Sequence, residues 1–441
     1  MNRRLAPTRR FSQLAAAAAV PVALIVSGGV GPWWGVVIGA AVVLGAVAAV
    51  DALLALSPRD LIIERTLPGA LVRGEEGSLR WSVTNPSDRT LAFAIADSVA
   101  PSVGVDRRCS GQLAPRASLD VERPFRPSRR GRFAIGPMTV RCPGPLGLCA
   151  RQRDIDEIDV LRVLPPFHSR RATELRMRSR RLTTVGLRTA RGRGSGTDFE
   201  QLRDYVPGDD PRHIDWNATA RSDRPIVRTF NVEQHQPVAI LLDCGRTMAA
   251  QVEGAPRIEH AMDVAVAFSV VASRTRDRVS FVAYDQAVRA EVGHGAGAQL
   301  ASRVTEAVFD LEPSLVEVDH VAALVTATQA QRRRSLLVVL TELNESVVEE
   351  RLAPAVAQHA LSHHIVVAAV SDPQLERWAN GPIDGRQSLH QAAAATRALA
   401  ARERAAGLLS DLGATVIDAP PGECATRLVD AYLELKAGGA W

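Results

Sequence analysis

Three hydrophobic patterns follow one another along the chain. Residues 11–50 carry no charge and are almost wholly apolar. As a helix, 40 residues would reach ~60 Å, twice the ~30 Å hydrocarbon core of a bilayer. The middle of the run reads SGGVGPWW (27–34), a Gly/Pro turn followed by tryptophans that favour membrane interfaces. The pattern therefore predicts a transmembrane helical hairpin within 1–57, with spans at 11–26 and 33–56 and Asp51 near the end of the second. Over 58–164 the apolar positions alternate in short runs. LRWSVTN (79–85), LAFAIAD (91–97), LDVERPF (119–125) and FAIGPMTVRC (133–142) read as strands, and NPSD, SRRG and PGPLG read as turns. This spacing predicts a small antiparallel β-sandwich.

From 236 to 441 the pattern changes class. The apolar strands VAILLD (238–243), RVSFVAYD (278–285), SLLVVLTEL (335–343), IVVAAVSD (365–372) and TVIDA (415–419) alternate with helical periodicity at 258–275, 300–311, 318–331, 351–363, 389–412 and 424–437. Such alternation predicts a parallel sheet wrapped by helices, with sites at the carboxyl ends of its strands. Residues 165–235 form the connection between the two folded regions.

Charge refines this picture. Of 53 basic residues only Lys436 is a lysine, and the net charge is +5. Between Arg162 and Arg193 ten arginines face one acid, Glu174, so the rest of the chain is slightly acidic. That distribution argues against a general nucleic-acid binder. The basic stretch reads as a solvated surface near anionic membrane lipid, as a patch for an acidic protein, or as a nucleic-acid site, although its only aromatic residue is Phe167. Arg3, Arg4, Arg9 and Arg10 precede the first span, and Arg59, Arg65 and Arg73 follow the second. The positive-inside rule then puts both termini in the cytoplasm, with the chain in the cytoplasmic membrane. Arg9-Arg10 before an apolar run also fits an export leader, which the second span argues against. Five cysteines without a CxxC pair fit reduced thiols rather than a disulfide scaffold or a zinc site.

LLDCGRTM (241–248) follows the first apolar strand of the C-terminal region, and TEL (341–343) ends a later one. Asp243 followed by Gly245 and Thr247 resembles the D-x-S-x-S loop of von Willebrand factor type A domains. The resemblance implies a doubly wound type A fold and a MIDAS-like site in which a hard divalent cation takes oxygen ligands, here Asp243, Thr247 and Glu342. This sequence has Gly245 where a hydroxyl is expected and Glu342 where an aspartate is expected. SLVEVDH (314–320) stands where the distal threonine would be. Magnesium binding is accordingly expected to be weak or absent.

A longer match lies upstream. GTDFEQLRDYVPGDDPRHIDWNATARSDRPIVRTFNVEQ (196–234), with RGRFAIGPMTV (130–140) and PLGL (145–148), resembles the bacterial membrane-protein family called domain of unknown function 58. Gly144 departs from it where an aspartate is more usual. The alternating charges of Arg203, Asp204, Asp209, Asp210, Arg212, Asp215 and Arg221 predict a network bracing this segment against the C-terminal domain, with Trp216 as a packing residue. The resemblance implies a non-enzymatic, membrane-tethered adaptor whose partner is a MoxR-type AAA+ ATPase or its client. The partner would meet the rim formed by Asp243, Gly245, Arg246, Thr247 and Glu342. An exported metal-dependent adhesin is the alternative, and an unrecognised hydrolase is a weaker third reading. Cys244 has no activating base in any motif, His213 and the trio His359, His363 and His364 read as structural, and no phosphate-binding loop is present.

Overall fold

A computed structural model describes residues 4–27, 33–167, 169, 173–174, 198–206, 209–222, 224–231, 236–275, 277–295, 297–329 and 334–437. The chain is mixed α/β and divides into two compact units, Met1–Leu164 and Pro165–Trp441.

In the first unit, strand β1 (Arg4–Pro7) precedes helices α1 (Arg9–Ser27) and α2 (Trp33–Leu54). Two helices form where the charge-free run predicted two. Among the described residues one apolar stretch, Val37–Asp60 with mean hydropathy 2.4, is long and apolar enough to cross a membrane. Strands β2 (Ile62–Thr66), β3 (Ala70–Val72), β4 (Gly77–Thr84), β5 (Leu91–Asp97), β6 (Arg108–Leu113), β7 (Ser118–Phe125), β8 (Gly131–Ile135), β9 (Met138–Pro143), β10 (Cys149–Ile155) and β11 (Asp159–Leu164) follow. They form sheets of order β1-β10-β9-β5-β6, β2-β4-β7 and β3-β11-β8. All pairings in them are antiparallel except β3 with β11.

Alternation turns Leu79, Trp81 and Val83 of β4 and Leu91, Phe93 and Ile95 of β5 into one core. Within it Trp81 Nε1 donates to Asp97 at 3.0 Å, and the buried Arg65 pairs with Asp97 and Asp159, each at 2.7 Å. The run 133–142 is two strands rather than one. Gly136 breaks it at φ +114°, where a Cβ would strike the Glu157 carbonyl.

The end of α2 is tied into this unit by a carboxylate. Asp51 is fully buried and accepts the N–H groups of Leu146 (2.7 Å), Leu148 (2.7 Å) and Cys149 (2.9 Å). A Cβ on Gly144 would run into Asp51 itself, which accounts for glycine at that position. The residues before α1 reach the same loop, since β1 pairs with β10 and Thr8 N–H donates to the Leu148 carbonyl at 2.9 Å.

In the second unit, β12 (Asp198–Asp204) and β13 (Ile226–Asn231) form an antiparallel pair. A six-stranded sheet follows, built from β14 (Pro237–Asp243), β17 (Arg278–Tyr284), β18 (Val288–Gly295), β19 (Leu336–Leu340), β20 (His364–Val370) and β21 (Thr415–Ala419), with the two-residue strands β15 (Gln251–Val252) and β16 (Ala255–Pro256) pairing apart from it. The order is β18-β17-β14-β19-β20-β21, parallel throughout except for the edge strand β18. Val238, Ile240 and Leu242 pack with the Arg257–Arg274, Ala298–Val308 and Cys424–Ala437 helices. Ala239 and Leu241 face the other way, toward the His320–Gln329, Ala353–His359 and Arg386–Asp411 helices. With both faces covered, the strands are uninterrupted apolar runs.

Candidate functional site

The carboxyl end of this sheet gathers the charged residues that follow its apolar strands. Asp243 ends the central strand and is wholly buried. One carboxylate oxygen accepts the Gly245 N–H at 2.7 Å and the other accepts the Thr341 hydroxyl at 2.6 Å. Burial outweighs both bonds and pushes the carboxyl up to about 6. The space a side chain would need at Gly245 is filled by Val318, which accounts for glycine at that position. Thr247 is half-buried, and its carbonyl accepts from Arg257 Nη1 at 3.0 Å. Arg246 is exposed and pairs with Glu317 at 2.8 Å, while its N–H donates to the Val316 carbonyl.

Glu342 turns away from Asp243. Its carboxylate bonds Arg402 Nη1, and Arg257 Nε lies 2.9 Å from its other oxygen with that N–H directed at the Val370 carbonyl. Arg402 also grips Asp418 bidentately, at 2.7 and 3.0 Å. Burial works against the charge on Arg402, but the bonds to Asp418 and Glu342 outweigh it and raise its pKa. At Glu342 and Arg257 burial dominates, raising the carboxyl and lowering the guanidinium from their usual ranges. Two guanidinium groups thus tie together the ends of β19, β20 and β21 and the turn after β14.

This donor set does not suit a divalent cation. Both Asp243 oxygens are engaged, Gly245 brings no hydroxyl, and Glu342 is committed to arginines. Among the described residues no group of three His, Cys, Asp or Glu is placed to hold a metal. A cation bound at ~100 times its Kd would add ~2.7 kcal/mol of stability. We expect the thermal midpoint to be the same in excess magnesium and in EDTA; a rise of several degrees with magnesium would overturn this reading.

The neighbouring groups are not arranged for nucleophilic chemistry. Burial pushes the Cys244 thiol up to about 12. Burial also works against ionised Asp285, but hydrogen bonds from Arg289, Ala287 and Ser314 outweigh it and hold that carboxyl below its usual range. His320 is buried with Nδ1 2.9 Å from the Tyr284 hydroxyl, and burial depresses it to about 4. His359 and His363 are buried beside each other, with ring centroids 6.3 Å apart, at the junction before β20. His364 is the first residue of β20.

The upstream segment is braced within itself. Arg203 pairs with Asp209 (2.5 Å), Arg224 with Asp204 (3.4 Å) and Arg228 with Asp215 (2.8 Å). Asp210 caps the turn Pro211–His213 through the Arg212 N–H, and Asp215 caps Trp216–Thr219 through two N–H groups. The bond from Arg228 leads those that hold the Asp215 carboxyl below its usual range. Trp216 is not a packing residue: it is 70% exposed, beside a cleft also lined by Arg212, His213 and Arg228. Arg221 is exposed. Most of the arginine-rich stretch 162–193 lies outside the described residues.

Sequence reasoning missed Thr341 as the hydroxyl on Asp243 and missed Arg257, Arg402 and Asp418 altogether. The available signal was acids at the ends of buried strands, Glu342 after β19 and Asp418 within TVIDA. Each needs a cation, and the flanking helices supply Arg257 and Arg402.

Residues 201–406 match the family described as protein of unknown function DUF58. An uncharacterized protein of Mycobacterium tuberculosis, Rv1480, is 24% identical over 183 residues, which is 41% of this chain and 57% of that protein; the chain thus spans little more than half the length of this relative. Among solved structures, the conserved hypothetical protein BatB from Bacteroides thetaiotaomicron aligns with 46% of this chain and 98% of its own at 14% identity and a TM-score of 0.32. A PapD-like domain of human CEP192 aligns with 24% of this chain and 87% of its own at 15% identity and a TM-score of 0.19.

Proposed function

We propose that this protein is a non-enzymatic adaptor held in the cytoplasmic membrane by two spans, with both termini in the cytoplasm and a C-terminal unit of the von Willebrand factor type A kind. Its partner is an AAA+ ATPase of the MoxR type or that ATPase's client. The observation that carries the reading is the closed carboxyl end of the six-stranded sheet, where hydrogen bonds and ion pairs occupy Asp243, Asp285, Glu342 and Asp418. What that end offers outward is a rim: Leu315, 83% exposed, on the loop whose Val316 carbonyl holds Arg246 and whose Glu317 pairs with it. An apolar knob among charges is suited to protein contact. The hairpin topology is supported by the meeting of β1 and Asp51 at one loop, which brings the chain before α1 and the chain after α2 to the same place.

The test is affinity purification of the detergent-solubilised full-length protein with ATP and magnesium, read by mass spectrometry. An AAA+ ATPase should co-purify with the natural chain and be depleted roughly tenfold or more with Leu315→Asp/Arg246→Glu, as for loss of a contact worth ~1.4 kcal/mol or more. Equal recovery with the double variant would remove the rim from the interface, and no ATPase even after crosslinking would overturn the adaptor reading.

A further inference from the structure

We infer that the loop Gly144–Cys149 is a membrane-seated foot that inserts Leu146 into the interfacial layer of an anionic bilayer at the point where α2 leaves it. The inference rests on reading α2 as a membrane span and adds to it a second contact made by the β-unit.

Depth follows from the helix. From Trp33 to Val50, at 1.5 Å per residue, α2 covers ~27 Å, close to the ~30 Å hydrocarbon thickness. Trp34, 60% exposed, then lies at one interface and Asp51 at the other. A carboxylate at that depth needs partners, and Asp51 has three, all backbone N–H groups of the loop. Because the Leu146 N–H lies 2.7 Å from an Asp51 oxygen, Leu146 stands at the level of the helix exit.

The side chains around this clamp have the composition of an interface. Leu146 is 51% exposed, and Leu53 and Leu54, just past Asp51 on the helix, are 76% and 53% exposed. Three leucines around one buried acid would be poorly placed in water and are well placed among acyl-chain ends. Arginines surround them. Arg10 lies against Gly147, Arg151 donates to the Ala52 carbonyl at 3.2 Å, and Arg59 follows Pro58 in the turn that ends the span. Apolar tips below guanidinium groups match acyl chains below anionic headgroups. The helix end and the foot are joined directly, because three backbone N–H groups of the loop donate to the Asp51 carboxylate.

Depth-dependent quenching separates this inference from the span it rests on. The full-length chain carries Cys149→Ser, the other four cysteines being buried, with an environment-sensitive fluorophore at Leu146→Cys or, separately, at Val42→Cys. Each is reconstituted in phosphatidylcholine/phosphatidylglycerol vesicles containing lipids with a shallow or a deep nitroxide. The expected result is loss of emission from position 146 with the shallow nitroxide and from position 42 with the deep one, with position 146 protected from iodide. Quenching of position 146 by iodide alone, with position 42 still quenched from within the bilayer, overturns the foot and leaves the span. Iodide quenching at both positions overturns both.

Discussion

Replacing Asp243 with alanine will lower the stability of the C-terminal unit by about 2–4 kcal/mol, because the Gly245 N–H and the Thr341 hydroxyl each lose a buried acceptor. Asp243→Asn will be tolerated: its amide oxygen still accepts from Gly245, and the Thr341 hydroxyl can turn to accept from its NH2 group. The two chains will differ in pH dependence. The folded carboxyl is raised from 3.8 to about 6, so as pH rises the unfolded chain releases this proton first. Stability of the natural protein relative to Asp243→Asn should therefore fall between about pH 4 and pH 6, by roughly 3 kcal/mol, and level off above that. Urea titrations of both chains across this window check the sign; a rise with pH would mean the carboxylate is stabilised as an anion. Any loss of partner binding by Asp243→Ala then reports damage to the turn, since the side chain itself reaches no surface.

Arg402→Met will cost about 3–5 kcal/mol, the range for removing one partner of a buried ionic group. The methionine keeps the aliphatic bulk, but Glu342 and Asp418 are left facing each other, with Arg257 the one remaining guanidinium on Glu342. Neutralising the acids as well, in Arg402→Met/Glu342→Gln/Asp418→Asn, should recover most of the loss, because the penalty lies in the uncompensated charges. Chemical denaturation of the single and triple variants checks this, and a triple variant no more stable than the single one would place the cost in packing.

What was legible in the sequence follows burial. Strands covered on both faces read as unbroken apolar runs, and TVIDA and the Cys424–Ala437 helix have the same limits in the structure as in the pattern. β18 was missed because it is an edge strand with a single buried position, Val292, and the Pro373–Asn380 helix because it has no buried residue. β1 was invisible because four residues before a helix carry no periodicity. At the candidate site the sequence identified Asp243 and its turn, but not the direction in which Glu342 points. That direction is set by Arg402, 60 residues further on, at the centre of an alanine-rich helix where no local spacing marks it.

The short strand β1 has a consequence for how copies of this chain avoid pairing with one another. It is the outermost strand of its sheet, and it covers the backbone of β10 that would otherwise lie open. Four residues ending in Pro7 make a poor template for a neighbour, whereas the seven residues of β10 would make a good one. Residues ahead of the first helix thereby act as a guard against strand exchange between copies.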